Sequence, residues 1–132
     1  MRMNKIFNIL IVLLFMSIVP IGVQAGELCD CYGSCTFIYP REVSTRIKRE
    51  VKIRDGYDPY DKLEIDHKLP LCLGGTNNKD NLRALAKEQH KLKTEHDILL
   101  LYYVENCYMT VEEAQKEALG FKINKFELPI NF

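Results

Sequence analysis

The chain has 132 residues, which is enough for one small domain, and 27% of them are charged. Its 18 basic and 18 acidic residues give a formal net charge of zero. This balance excludes a protein covered with cationic side chains for bulk binding to nucleic acid or membranes, so any contact with a polyanion must come from a local patch.

Residues 1–25 have the layout of a secretory signal peptide. Arg2 and Lys5 precede an apolar run from Ile6 to Val19, and the small residue Ala25 ends the segment. The rival interpretation is an uncleaved membrane anchor, but the run is shorter than the roughly 20 residues of a spanning helix. We therefore predict cleavage after Ala25, a secreted or periplasmic protein, and no stable membrane association afterwards.

Five cysteines follow the predicted signal, at Cys29, Cys31, Cys35, Cys72 and Cys107. Export would place them in an oxidising compartment, where disulfides persist, and the odd number leaves at least one thiol over. A bridge from the cluster "CDCYGSC" to Cys107 would close a long loop and stabilise the fold by about 3–5 kcal/mol. A zinc site is the alternative, but no second Cys-x-x-Cys or His pair accompanies the cluster. We therefore favour disulfides.

The first predicted elements are a cysteine-rich lead-in and a helix. Residues 26–42 show no apolar periodicity, so they are interpreted as a cysteine-rich lead-in to which no helix or strand is assigned. From residue 43 to 54, apolar side chains recur every four positions, which predicts a helix. Ser44 or Thr45 offers its N-cap, and Gly56 suits its end.

A hairpin and two further helices complete the predicted domain. The elements are expected at residues 63–67 (strand), 81–85 (strand), 87–106 (long helix) and 111–119 (short helix). The run "GGTNNKDN" supplies the turn between the strands, and Thr110 with Glu113 forms a capping box for the last helix. The fold class is therefore predicted to be α+β, with a domain at 43–120 and a tail at 121–132.

One basic patch stands out against the neutral chain. Six cations fall within fourteen positions, at Arg41, Arg46, Lys48, Arg49, Lys52 and Arg54. They predict either a polyanion-binding surface or a solvated helix face with Glu42 and Glu50 interspersed. Charge alone leaves both interpretations open.

The stretch "EIDHKLPLCLGGTNNKDNLRALAKEQHKLK" contains an aspartate directly before a histidine in an apolar, strand-like run. A buried strand has no use for two ionisable groups, because an unpaired buried charge costs several kcal/mol. The stretch resembles the HNH endonuclease family through Asp66-His67, Pro70, Gly74-Gly75, Asn81-Leu82 and His90. The resemblance implies a small ββα-metal core, in which a short hairpin is followed by a long helix.

The resemblance also implies roles for individual residues. His67 would be the general base, since an imidazole titrates near neutral pH. Asp66 and His90 would hold one divalent metal ion, Mg²⁺ or Mn²⁺, and Asn81 would either complete that site or hold the loop beside His67. Lys93 lies one helical turn after His90 and would contact phosphate.

Further expectations concern the surroundings of this motif. Glu64 shares a strand face with Asp66 and would support the metal site. The patch residues Arg46, Arg49 and Lys52 would bind nucleic acid together with Lys93. Small exported bacterial proteins of this group carry one cysteine before the first helix and one near the end of the long helix. That likeness implies a Cys35–Cys107 disulfide.

The function implied is an exported, metal-dependent endonuclease that cuts DNA, with RNA as a second candidate substrate, and has little sequence preference. Two alternatives stay open. One is a catalytically silent nucleic-acid-binding module on the same scaffold. The other is a small disulfide-stapled secreted interaction protein, for which the likeness would be coincidental.

Overall fold

The computed structural model describes residues 26–122 and has an α+β fold of two antiparallel hairpins and three helices. The predicted fold class is therefore confirmed. The predicted signal peptide, 1–25, and residues 123–132 of the predicted tail lie outside the described residues. Within residues 26–122, no helix combines the length and the apolar character needed to cross a membrane.

In chain order, the elements are β1 (Gly26–Cys29), β2 (Cys35–Ile38), α1 (Thr45–Arg54), β3 (Glu64–His67), β4 (Leu82–Leu85), α2 (Lys87–Glu105) and α3 (Val111–Gly120). The connection between β3 and β4 contains two short 3-10 helices, Leu71–Leu73 and Lys79–Asn81. Helix α1 begins after Ser44 because the Ser44 hydroxyl accepts a hydrogen bond from the Ile47 N–H at 3.3 Å. The capping box that we predicted for α3 is present, with Thr110 and Glu113 bonding reciprocally.

Strands β3 and β4 form the hairpin that precedes the long helix. Glu64 lies opposite Leu85 and His67 lies opposite Leu82, in antiparallel register. The apolar face of this hairpin packs on α1 through a small cluster of buried residues, Val51, Ile65, Leu82 and Ala84. One residue, Ala86, separates β4 from α2, so the start of the helix stays beside the hairpin.

The larger core joins α2 and α3 to the N-terminal hairpin. Its buried members are Leu28, Leu73, Leu100, Val104, Val111, Ala114 and Ala118. Because Leu28 belongs to β1, the lead-in packs against the same core as the helices.

The lead-in, to which no helix or strand was assigned from its sequence, contains a hairpin formed by β1 and β2. Its turn uses Gly33 at φ 95°, a conformation that favours glycine. The Asp30 carboxylate accepts hydrogen bonds from the Tyr32 and Ser34 N–H groups and, at 2.9 Å, from the N–H of Val111. That last bond ties the turn to the first residue of α3.

The choice of disulfides over a zinc site is confirmed, but the Cys35–Cys107 pairing is wrong. Cys29 and Cys35 face each other in the hairpin register and are bonded to one another. Cys31, in the turn, bridges to Cys107 with a Cα–Cα distance of 5.3 Å. Cys35 is bonded within the hairpin, so Cys31, at the tip of the hairpin, is the cysteine that bonds to Cys107 near the end of α2. Cys72 carries a free thiol.

Candidate functional site

The β3–β4 hairpin brings the aspartate and histidine of the motif to one cleft. A regular strand would turn adjacent side chains to opposite faces. His67, however, is the last residue of β3, and the chain leaves the strand immediately after it. Both side chains are buried and both line the same cleft of about 330 Å³, which His90 of α2 also lines. Three of the four predicted HNH-motif residues therefore converge.

Asp66 and His90 face each other across the cleft. Asp66 Oδ1 lies 3.9 Å from His90 Nε2, while its other oxygen, Oδ2, accepts a hydrogen bond from Arg83 Nε at 3.0 Å. The Glu64 carboxylate lies 2.6 Å from His90 Nδ1, which orients the ring with Nε2 toward Asp66. Glu64 thus occupies the supporting position that we predicted for it.

Asp66 and His90 lie near enough to share a metal ion after a small adjustment. Adjacent ligand atoms of an octahedral Mg²⁺ ion, each about 2.1 Å from it, are about 3.0 Å apart. The 3.9 Å between the oxygen of Asp66 and the nitrogen of His90 is wider than this, so the two side chains would move closer together on binding the ion. The carboxylate is a ligand of the kind that Mg²⁺ and Mn²⁺ prefer, whereas the imidazole is more typical of Zn²⁺ and other transition metals.

His67 is oriented by a residue that sequence reasoning missed, Asn77. His67 Nε2 lies 3.1 Å from Asn77 Oδ1, and Asn77 Nδ2 donates to the Pro40 carbonyl at 2.7 Å. The bond to Pro40 fixes which end of the amide faces the ring, so Nε2 carries the proton. Nδ1 of His67 is then the nitrogen with the free lone pair, which is the atom able to accept a proton.

The surroundings of His67 favour its neutral form. Burial lowers its pKa most, and the positive charge of Arg41 lowers it further, while the bond to Asn77 and the charge of Asp66 act in the opposite direction. The net pKa lies below the ordinary value of 6.5. A neutral imidazole is therefore present at neutral pH, as a general base requires.

Asn81 holds a loop. Its Nδ2 donates to the carbonyls of Leu69 and Thr76, each at 2.9 Å, and its Oδ1 accepts from the Leu69 N–H at 2.9 Å. These three bonds tie the segment that leaves His67 to the start of β4. Of the two roles left open for Asn81, the structure therefore supports the loop role and not a position among the metal ligands.

The prediction that Lys93 contacts phosphate is wrong. The spacing correctly placed Lys93 on the same face of α2 as His90, but one turn after His90 this face is buried in the protein. Lys93 is fully buried, and its ammonium group is paired with the Asp97 carboxylate. Burial raises the pKa of Asp97 from its ordinary range. Asp97 itself reaches the floor of the cleft, a position that sequence reasoning did not foresee.

The three predicted basic contacts all lie outside the cleft. Arg46 is exposed and lies 3.8 Å from Glu50. The Arg49 guanidinium lies 5.3 Å above the ring of Tyr60, and Lys52 donates to the Asp61 carbonyl at 2.6 Å. None of the three lines the cleft. The cation that does line it is Arg41, whose Nη2 donates to the Ile65 carbonyl at 2.7 Å.

Neither the Cys29–Cys35 disulfide nor the free thiol of Cys72 forms a candidate metal or nucleophile site. Glu27, Cys29 and Cys35 come close together, but both sulfurs are joined in a disulfide and cannot act as thiolate ligands. Cys72 forms part of the cleft wall, where burial raises the pKa of its thiol. A thiol with a raised pKa is a poor nucleophile at neutral pH.

Comparison of the chain with protein-family models, with curated proteins and with solved structures returned no match. The geometry of the cleft and the motif residues are therefore the basis for assigning a function.

Proposed function

We propose that this protein is an exported, metal-dependent endonuclease of the HNH type, which hydrolyses phosphodiester bonds of DNA or RNA with little sequence preference. The observation that carries the proposal is the meeting of Asp66, His67 and His90 in one cleft. Asn81 ties down the loop that follows His67, which matches one of the roles implied by the resemblance.

Each group at the cleft has a part in the proposed reaction. Nδ1 of His67 takes a proton from the attacking water, because its other nitrogen is bonded to Asn77. Asp66 and His90 would hold one Mg²⁺ or Mn²⁺ ion, and Glu64 orients the His90 ring. When bound, such an ion supplies charge stabilisation to a phosphate and its leaving oxygen.

The dimensions and chemistry of the cleft support a substrate bound through its backbone. The cleft has a cation, Arg41, at its wall, and a guanidinium group matches the geometry of a phosphate. No separate recognition module is present among residues 26–122, so base-specific contacts would be difficult to build. Little sequence preference follows.

The compartment is part of the same proposal. Residues 1–25 have the layout of a signal peptide, and the two disulfides are of the kind that persists outside the cytoplasm.

The test is cleavage of plasmid DNA by the purified protein, with Mg²⁺ or Mn²⁺ and then with a chelator. We expect nicking that the chelator stops. His67→Ala should slow it by about 10²-fold or more, while calorimetry shows unchanged metal affinity. His90→Ala should weaken metal affinity.

His96→Ala is the matched control, because His96 lies outside the cleft and stacks on Phe121. It should cut like the wild type. If His67→Ala nicks plasmid at the wild-type rate, His67 is not the base. If the wild type binds DNA but never cuts it with any divalent ion, the silent binding module is the better description.

A further inference from the structure

A basic groove lies next to the cleft, between α1 and β3. It is lined by Arg41, Lys48 and Lys52 and by the chain from Leu63 to Ile65. Lys48 and Lys52 are four residues apart on α1 and therefore share a face of the helix. Arg46 and Arg49 belong to the same basic patch in sequence but do not line the groove.

The groove carries an excess of positive charge. Among the ion pairs of the described residues, none involves Arg41, Lys48 or Lys52. Glu64 is the only acidic residue among those that line the groove, and its carboxylate contacts His90. Three cations thus face one carboxylate, which makes the groove attractive to an anion.

The groove adjoins the cleft, because Arg41 lines both. Its bond to the carbonyl of Ile65, the residue before Asp66, holds the guanidinium at their shared wall. This bond uses one of the five N–H donors of the guanidinium, so others are available to a phosphate.

The surface on the other side of His90 has the opposite character. A depression there is lined by three carboxylates, Glu64, Glu88 and Glu95, and by two lysines, Lys87 and Lys91. Lys91 lies 3.9 Å from Glu95, which compensates its charge. Glu64 borders both surfaces. With it included, carboxylates outnumber lysines in the depression, whereas cations outnumber carboxylates in the groove, so a phosphate backbone is favoured on the groove side.

We propose that the groove formed by Arg41, Lys48 and Lys52 binds the backbone phosphates next to the scissile one, so that the nucleic-acid strand enters the cleft from the α1 side. This inference rests on the proposed function for the identity of the cleft. It assigns the binding to Arg41 and Lys48 and not to Arg46 and Arg49, which lie on the same helix region.

The experiment measures binding apart from cutting. Protein carrying His67→Ala is titrated, in the presence of a chelator, into a short fluorescent DNA duplex at several salt concentrations. Adding Arg41→Gln and Lys48→Gln should raise the Kd about tenfold at low salt. It should also lower the slope of log Kd against log salt by about 2, one for each lost phosphate contact.

The matched control removes the same two charges outside the groove, with Arg46→Gln and Arg49→Gln in the His67→Ala background. We expect little change in Kd or slope. Equal losses for the two double variants would overturn the groove, because net charge alone would then explain binding. Lys48→Gln alone keeps the test valid if loss of the Arg41–Ile65 bond unfolds the protein, since Lys48 is exposed.

The two proposals can fail separately. If the wild type never cuts DNA but the groove variants bind it more weakly, the groove proposal is supported and the nuclease proposal is wrong. If the wild type cuts DNA and the groove variants bind it normally, the nuclease proposal is supported and the groove proposal is wrong.

Discussion

The two hairpins have strands of equal length but are held in different ways. Only one of the eight residues of β1 and β2 is buried, whereas six of the eight residues of β3 and β4 are. The first hairpin is fixed by the Cys29–Cys35 and Cys31–Cys107 bonds. The second is fixed by apolar packing on α1 and by side-chain hydrogen bonds. Where apolar surface is scarce, covalent bonds set the geometry.

The difference matters for the site, because only the second hairpin carries the candidate cleft. Its two buried ionisable side chains each have a partner, Arg83 for Asp66 and Asn77 for His67. Loss of one partner therefore leaves a buried polar group unsatisfied, which costs more than the bond itself contributes. We expect cysteine substitutions to affect mainly the stability of the fold and polar substitutions near the cleft to affect stability or catalysis.

The largest expected effect is on the first hairpin. Replacing Cys31 and Cys107 by Ser removes a bridge between residues 76 positions apart, and the other bridge joins residues only 6 positions apart. In the chain-entropy model, replacing Cys31 and Cys107 lowers the free energy of unfolding by about 4–5 kcal/mol. Replacing Cys29 and Cys35 by Ser lowers it by about 2 kcal/mol.

Denaturant titration of the two double variants checks this, and peptide mapping of the wild type should recover Cys31 joined to Cys107. Equal destabilisation by the two pairs of substitutions would contradict the role of the long loop. Recovery of a peptide that joins Cys35 to Cys107 would contradict the pairing itself.

A smaller effect is expected beneath the cleft. Lys93→Met leaves the Asp97 carboxylate buried without its partner, and loss of one member of a buried pair costs about 3 kcal/mol or more. Lys91→Met is the matched control, because Lys91 pairs with Glu95 at the same helical spacing in solvent. It should cost less than about 1 kcal/mol.

Thermal or denaturant unfolding of the two variants measures the difference. The double variant with Lys93→Met and Asp97→Leu should recover most of the loss, since no unpaired charge then remains. Equal free energies of unfolding for the two single variants would show that the buried pair contributes no more than the exposed one.

The sequence was a good guide to features that depend on local spacing. Helical periodicity and caps predicted the helices to within two residues, and the motif identified Asp66, His67, Asn81 and His90. Spacing also placed Lys93 beside His90, but it cannot tell which face of a helix becomes covered. That depends on α3 and the first hairpin, which pack from elsewhere in the chain.

The remaining errors have the same origin in long-range contacts. The cysteine pairing follows from the register of β1 and β2. Each strand has only four residues, and two in each strand are exposed, so the alternation of apolar and polar residues is too short to predict the hairpin. Asn77 lies in a run of turn residues where asparagine is common. Its role appears only when the turn folds back to meet Pro40 and His67.

The smallest expected effect tests Asn77 as a positioning residue. Asn77→Ala removes the acceptor that holds Nε2–H of His67, so the ring loses its fixed tautomer and direction. We expect kcat on plasmid DNA to fall about tenfold, equivalent to about 1.4 kcal/mol, with KM little changed, because phosphate binding does not depend on the ring. Asn78→Ala is the control, since Asn78 is the adjacent asparagine, is exposed and makes no side-chain capping bond.

A purely structural role for Asn77 would lower the melting temperature and leave the kcat of the folded fraction unchanged. That result would remove Asn77 from the catalytic arrangement, and it would also weaken the assignment of Nδ1 of His67 as the atom that accepts the proton.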